Sequence, residues 1–305
     1  AKYRGAFESG RLSWFHTSSE AEPRSHSTEF RYQRFVNDCV SGKTTAYTEP
    51  WASAWGDHGG QRDDRWCSPP QWNYWRLLLD LHCGVSFIAL YSQDMRVAIE
   101  GEYHGGGDHW SDPGGPFQQE FLAAFQFADK YVGLHASPRE SPGAWVAFRE
   151  NDVIRAANGI PERSRRLELF SGDYHFLMQR LPDDASSGLG IGNVGPDEQR
   201  FGAFARILPD GQSMNLQLND TFDTSLEGGQ ATVRLIYFDQ GVGKIRLKAG
   251  GRGLTVKCAD TGRWKSTSVI VPGNAVQPDS LGAHITLTAV DGDATLHMVE
   301  VTRGH

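Results

Sequence analysis

The polar and apolar positions of the chain fall into two textures. Up to about residue 150, strand-like apolar runs alternate with segments of helical period. Arg11 to Thr17 (RLSWFHT) predicts a short strand, followed by a helix with Tyr32, Phe35, Val36, Cys39 and Val40 on one face and a stop at Gly42. A second strand, Thr44 to Glu49, leads through a Gly- and Trp-rich loop to a helix that begins near Pro69. Its stripe is Trp72, Trp75, Leu78, Leu79 and His82, and it ends at Gly84. The third strand, Val85 to Tyr91 (VSFIALY), is nearly all apolar, as a parallel strand covered on both faces would be. A third helix starts near Phe117, with Phe121, Ala124, Phe125, Ala128 and Val132 at helical spacing and Gly133 closing it. The order predicts three βα units and an α/β class for this part.

From about Asp173 the period changes from helical to alternating. The runs YHFLMQR, RFGAFARIL, MNLQL, ATVRLIYF, KIRLKA, LTVKC, KSTSVIV, HITLTAV and TLHMVEVT are short and are separated by Gly, Pro, Asp and Asn. Strands at this spacing predict an all-β sandwich or jelly roll. The intervening AWVAFRE, after Pro138 and Pro142, reads as a strand-like connector.

Composition narrows the function classes. With 39% apolar and 22% charged residues, the chain matches a globular protein that folds. Its formal charge of −7 comes from interspersed acidic and basic residues, which points away from nucleic acid and from a membrane surface as partners. No window approaches the length of a spanning apolar helix, and AKYRGAFESG lacks the apolar core of a signal peptide. Cys39, Cys67, Cys83 and Cys258 have no zinc-ligand spacing, and free buried thiols are the favoured reading over bridges. Nine Trp residues stand out. Sugars present flat C–H faces that stack on aromatic rings, so Trp beside carboxylates at strand ends favours an oligo- or polysaccharide partner, and a glycan role points to a secreted or extracytoplasmic setting.

Three features carry a family resemblance: the strand TAYTEPW, ending in a carboxylate followed by Pro and Trp; the helix PPQWNYWRLLLDLHCGV leading into VSFIALY; and FQQEFLAAFQFADKYVGLH. Together they resemble the last strand-helix units of a retaining glycoside hydrolase barrel of the family 42 β-galactosidase type. The resemblance implies a fold of α/β plus all-β class: residues 1–160 as the C-terminal part of a (β/α)8 barrel, about three of its βα units, and residues 161–305 as a jelly-roll-like accessory β-sandwich. A full barrel takes roughly 200 to 250 residues, and five further units at about 30 each would need about 150 more, so the chain reads as a fragment whose barrel begins upstream.

The resemblance puts Glu49 where such enzymes hold the catalytic nucleophile, with Trp14, His16, Trp51, Trp55, Tyr91 and Asp94 lining a sugar subsite. Retaining hydrolysis takes two carboxyl groups about 5 Å apart. In the family the acid/base belongs to an Asn-Glu pair on an earlier strand; the chain has no such pair, and Glu20 and Glu22 lie out of order for it. The chain alone is therefore expected to be inactive. The alternatives are that Glu49 caps a loop or pairs with Arg62 or Arg65, and that the chain is a noncatalytic glycan-binding or cell-surface protein with an incomplete barrel. No cofactor is implied. Glu102, His104, Asp108 and His109 share a Gly-rich loop in which a metal is the minor reading. GLGIGNVG lacks the strand-to-helix setting of a phosphate loop and reads as a turn; DGDA at Asp291–Asp293 reads as a hairpin turn rather than a calcium ligand set. Trp264, Tyr237 and Phe238 are the sandwich's stacking candidates, with core packing as the other reading.

Overall fold

The computed structural model describes residues 14–19, 45–50, 74, 77–78, 81–82, 84, 87–88, 118–135, 137–148, 173–182, 185–190 and 204–304. The chain divides into two compact units, residues 1–136 with 198–200, and residues 137–197 with 201–305.

In the first unit, β1 (Trp14–Ser19), β2 (Thr45–Pro50) and β3 (Phe87–Ile88) form a parallel sheet in the order β1-β2-β3. Tyr74, Leu77, Leu78, Leu81 and His82 are helical and buried, a stripe at three- and four-residue spacing. Gly84 ends that turn as expected: its φ is 75°, and its N–H donates to the Leu81 carbonyl at 3.0 Å. Helix α1 (Gln118–Asp129) buries Ala124, Phe127 and Ala128, and Gly133 beyond it has φ 76°. The Tyr74 ring meets Phe127 edge-on at 6.3 Å, and Phe127 lies 5.1 Å from Tyr131. Leu78, His82, Ala124 and Ala128 of the expected stripes are buried, and Tyr74, Leu77, Leu81, Phe127 and Tyr131 are buried beside them, because large rings dominate the burial. The helix expected over residues 32–40 lies outside the described residues.

The expected partial (β/α)8 barrel is overturned. The described residues are mostly strand, gathered into two antiparallel sheets, and among them only two α-helices have definite bounds. Among the described residues the parallel sheet is an open path of three strands with no sign of closure. Closure needs a matched strand number, tilt and shear around a complete ring. A helical stripe after an apolar run reports local amphipathicity and carries none of that information.

The second unit holds both antiparallel sheets. The larger runs β13 (Arg263–Pro272), β10 (Gln230–Asp239), β15 (Ala294–Arg303), β4 (Gly143–Ala147), β5 (Tyr174–Phe176), with β8 (Phe204–Leu208) also on β15 and β7 (Ser187–Gly190) on β8. The second runs β12 (Arg252–Lys257), β11 (Lys244–Ala249), β14 (Ile285–Val290), β9 (Ser213–Leu218), β6 (Met178–Arg180). All nine alternating runs form strands, and the strand-like AWVAFRE contributes β4. Val233 and Leu235 of β10, Ile245 and Leu247 of β11, and Ile285 and Leu287 of β14 are fully buried. Each such side chain contributes about 1.5–3 kcal/mol on burial. The β15 run is buried on both faces from Ala294 to Val301, and its pairing with β10 shifts register between Ile236 and Tyr237, a bulge.

Two connections differ from the sequence reading. YHFLMQR is two strands: β5 pairs with β4 in one sheet and β6 with β9 in the other, and Leu177 between them has φ 55°. The switch needs a backbone turn that a bulky L-residue adopts only under strain. The Asp291–Asp293 segment is a tight turn, with Asp291 at φ 60° and Gly292 at φ 148°, but it joins β14 of one sheet to β15 of the other and so is no hairpin. Helix α2 (Asp220–Thr224) is capped by Asn219, whose Oδ1 accepts from the N–H groups of Thr221 (3.0 Å) and Phe222 (3.2 Å).

Candidate functional site

Glu49 is the fifth of the six residues of β2, the middle strand of the parallel sheet, and is in register with Ser18 of β1. His16 pairs with Tyr47 and Trp14 with Thr45. At about 3.3 Å per residue, His16 sits about 7 Å and Trp14 about 13 Å along the strand from the level of Glu49. Trp51, Trp55, Tyr91 and Asp94 lie outside the described residues, as do Glu20, Glu22, Arg62, Arg65 and the Glu102–His109 loop. Open parallel sheets place ligands beyond the carboxyl ends of their strands, and Glu49 is the acidic residue of β1, β2 and β3 at that end. One carboxylate can accept hydrogen bonds from sugar hydroxyls; hydrolysis with retention takes a second.

Two of the sandwich's stacking candidates face inward. Trp264 is fully buried, 5.2 Å from the Phe238 ring and 5.3 Å from His297, and its indole Nε1 has no hydrogen-bond partner. Tyr237 is also buried; burial first, and then the charge of Asp239, push its phenol up to about 12. Asp239 is wholly buried and tightly held. Its carboxylate accepts from the Ala259 N–H (2.7 Å), the Thr261 N–H (3.3 Å) and the Thr261 hydroxyl (2.6 Å), and pairs with Lys265 Nζ at 2.7 Å. Burial pushes this carboxyl up, but Lys265, Thr261 and the backbone donors outweigh it and bring it down to about 2. The group anchors the loop that follows β12, including the buried free thiol of Cys258, and has no spare oxygen facing solvent.

The DGDA carboxylates are likewise occupied: Asp291 pairs with Lys244, and Asp293 Oδ1 accepts from the Asp210 N–H at 2.9 Å. Among the described residues no His, Cys, Asp or Glu cluster suits a metal. The first part of GLGIGNVG is not a turn; Gly188–Gly190 lie in β7, paired to β8.

The sequence reading missed the outward face of the β12-β11-β14-β9-β6 sheet. Along β11, Ile245, Leu247 and Ala249 point inward while Arg246 and Lys248 are exposed. The partners alternate in step: Thr255, Arg246, Thr288 and Ser213 form one cross-strand row, and Gly253, Lys248, Thr286 and Asn215 the next. Lys257 stands opposite Lys244. Side-chain hydrogen bonds link neighbours within the rows, Ser213 Oγ with Thr288 Oγ1 at 2.8 Å and Thr286 Oγ1 to Asn215 Oδ1 at 3.1 Å, and Gln179 Nε2 donates to Gln217 Oε1 at 3.0 Å in a third. The signal was present as KIRLKAGGRGLTVK, residues 244–257, with five basic residues and no acidic one.

No protein-family profile and no curated protein matches the chain. Among solved structures, it is similar to a peptidoglycan O-acetylesterase at 13% identity, over 41% of this chain and 29% of that one, with a TM-score of 0.25. It is similar to the C-terminal CBM6 of LamC, a marine laminarinase from Zobellia galactanivorans, at 14% identity over 41% of this chain and 98% of that one, with a TM-score of 0.24. It is similar to TmCBM61 in complex with β-1,4-galactotriose at 14% identity over 42% and 88%, with a TM-score of 0.24. The chain thus spans under a third of the esterase's length.

Proposed function

We propose that the chain is a carbohydrate-active protein that engages an oligo- or polysaccharide at the carboxyl end of its parallel sheet, with Glu49 as the group that meets the sugar. The observation that carries the reading is the position of Glu49, one residue from the end of the middle strand and level with Ser18 of the adjacent strand. A carboxylate there would accept hydrogen bonds from vicinal sugar hydroxyls, and charge-assisted bonds of this kind are about twice as strong as neutral ones. In this reading His16 contributes a further donor or acceptor, and Trp51, Trp55, Tyr91 and Asp94 belong to the same subsite, whereas Trp14, the first residue of β1, lies at the other end of the strand and outside it.

The same position favours a second reading, in which Glu49 is the nucleophile of a retaining glycoside hydrolase and a second carboxyl supplies the proton to the leaving oxygen. Calorimetric titration with a panel of neutral β-linked oligosaccharides, on the wild type and on Glu49→Gln, tests the first reading. Binding lost in the variant supports it, and no binding to any member of the panel overturns it. Turnover of aryl glycosides by the wild type, abolished in Glu49→Gln, decides for the hydrolase; absence of turnover with binding intact leaves the noncatalytic role.

A further inference from the structure

We infer that the outward face of the β12-β11-β14-β9-β6 sheet is a docking surface for a linear acidic polysaccharide, a polymer of uronic acid sugars, separate from any site at the parallel sheet. Arg246, Lys248 and Lys257 are exposed on this face, and among the described residues none of them has an ion-pair partner. Other lysines of the same unit are engaged: Lys244 with Asp291 and Lys265 with Asp239. Asp279, whose charge reaches Lys248, is already occupied by the N–H groups of Leu281 (2.8 Å) and Ala283 (3.0 Å).

An ordinary solvated face intersperses the two signs of charge. Here the outward positions of β11 and β12 carry four basic groups, Lys244, Arg246, Lys248 and Lys257, and no acidic one, within a chain of net charge −7. Lys244 and Lys257 are directly opposite; Asp291 pairs with Lys244, which among the described residues leaves Lys257 as the unpaired cation of that row. A face that holds like charges together against the trend of the whole chain has charge complementarity to a polyanion.

The neutral groups around the cations select among polyanions. Arg246 is flanked by Thr255 and Thr288, and Lys248 by Gly253 and Thr286. The cross-strand hydrogen bonds hold the hydroxyl and amide groups of Ser213, Thr288, Thr286 and Asn215 in a fixed array. Such an array can exchange hydrogen bonds with the many hydroxyls of a sugar chain, while the guanidinium fork of Arg246 matches a carboxylate. Along β11, successive outward positions lie about 6.8 Å apart, so the cations form a column rather than a point. Nucleic acid is the weaker match. Single-strand binding surfaces stack bases on aromatic rings, and neither row contains one.

The test is the affinity of the full chain for polygalacturonate at about 50 mM and about 200 mM salt, by calorimetry or retardation in a polymer-loaded gel. The wild type is expected to bind, more weakly at the higher salt. Arg246→Ala/Lys248→Ala is expected to bind at least about tenfold more weakly, since each removes a charge-assisted contact, with an unchanged melting temperature because both side chains are exposed. Gly253→Glu is the second variant. A Cβ there meets only the Leu247 carbonyl oxygen, at 3.5 Å, so the side chain is accommodated and sets a carboxylate beside Lys248. It is expected to weaken binding in the same way. No polygalacturonate binding by the wild type at the lower salt, undiminished binding by both variants, or equal affinity for single-stranded DNA overturns the inference. Glu49→Gln is expected to leave polygalacturonate binding intact, which separates failure of this surface from failure of the parallel-sheet site.

Discussion

Replacing Asp239 by Asn removes one charge from the end of the sandwich and leaves its shape in place. The carboxylate is fully buried and meets four donors, from Lys265, the Thr261 hydroxyl and the N–H groups of Ala259 and Thr261. Lowering the group from 3.8 to about 2 is worth about 2 kcal/mol of stability at neutral pH. An amide also turns two hydrogens toward a cluster made entirely of donors, so the total loss is about 2–3 kcal/mol. Lys265 limits the damage, because its side chain is 32% exposed and can return to water. For a unit of this size the loss corresponds to a melting-point drop of about 5–10 °C.

The pH dependence tests the cause. A carboxyl depressed in the folded state stabilises above its unfolded value of 3.8, and that stabilisation disappears as pH falls through about 2. Melts of wild type and Asp239→Asn should therefore differ fully at pH above about 5 and converge as pH approaches about 2. Hydrogen exchange over residues 258–262 supplies a local reading, since Asn keeps only one of the two acceptor oxygens that the Ala259 and Thr261 amides use. A penalty that stays constant down to the lowest pH, or one under about 0.5 kcal/mol at neutral pH, would refute the assignment of the stability to this charge.

Three other perturbations test the packing. Gly273→Ala places a Cβ 1.9 Å from the Leu226 carbonyl oxygen, a backbone atom, so a loss of more than about 3 kcal/mol or failure to fold is expected, whereas Gly211→Ala, with φ 75° and open space, should cost about 1 kcal/mol by thermal melt. Trp264→Ala should cost about 3–5 kcal/mol, and Trp264→Phe clearly less, because the indole N–H makes no hydrogen bond to lose; chemical denaturation distinguishes the two. Cys258 is buried, and burial first, then Asp239, raises its thiol, so mass-mapped maleimide labelling at neutral pH should modify it only under denaturing conditions.

The second unit was largely legible because alternation is a local property. KIRLKA and HITLTAV alternate in sequence as they alternate between interior and solvent in the sheet. What escaped depends on partners distant in the chain. Nothing local in YHFLMQR says that Tyr174 and Met178 join different sheets, since the switch is made by Leu177, an apolar residue at positive φ where Gly would have been a signal. DGDA has the composition of a hairpin, and only the pairings of β14 and β15 reveal that it joins two sheets. In the first unit, the glycine stops at Gly84 and Gly133 were readable because a helix end writes its φ requirement into one residue. Barrel closure is written into none.

The same contrast governs where a ligand surface of the sandwich can be sought. Aromatic residues drew attention first, but in a two-sheet core a Trp at an alternating position is drawn inward by the burial of its large ring, and Trp264 and Tyr237 follow that rule. Among the described residues the exposed large apolar side chains are Val242, Ile270 and Leu281, none of them aromatic. A surface without exposed rings has to recognise through charge and hydrogen bonds, and those groups become a site only when register aligns them. Arg246 gains Thr255 and Thr288 as neighbours through two separate pairings, one local and one more than 40 residues away. Register therefore turns four scattered basic residues, Lys244, Arg246, Lys248 and Lys257, into an ordered face, and it does so on the one set of positions where strand alternation forbids them to be core.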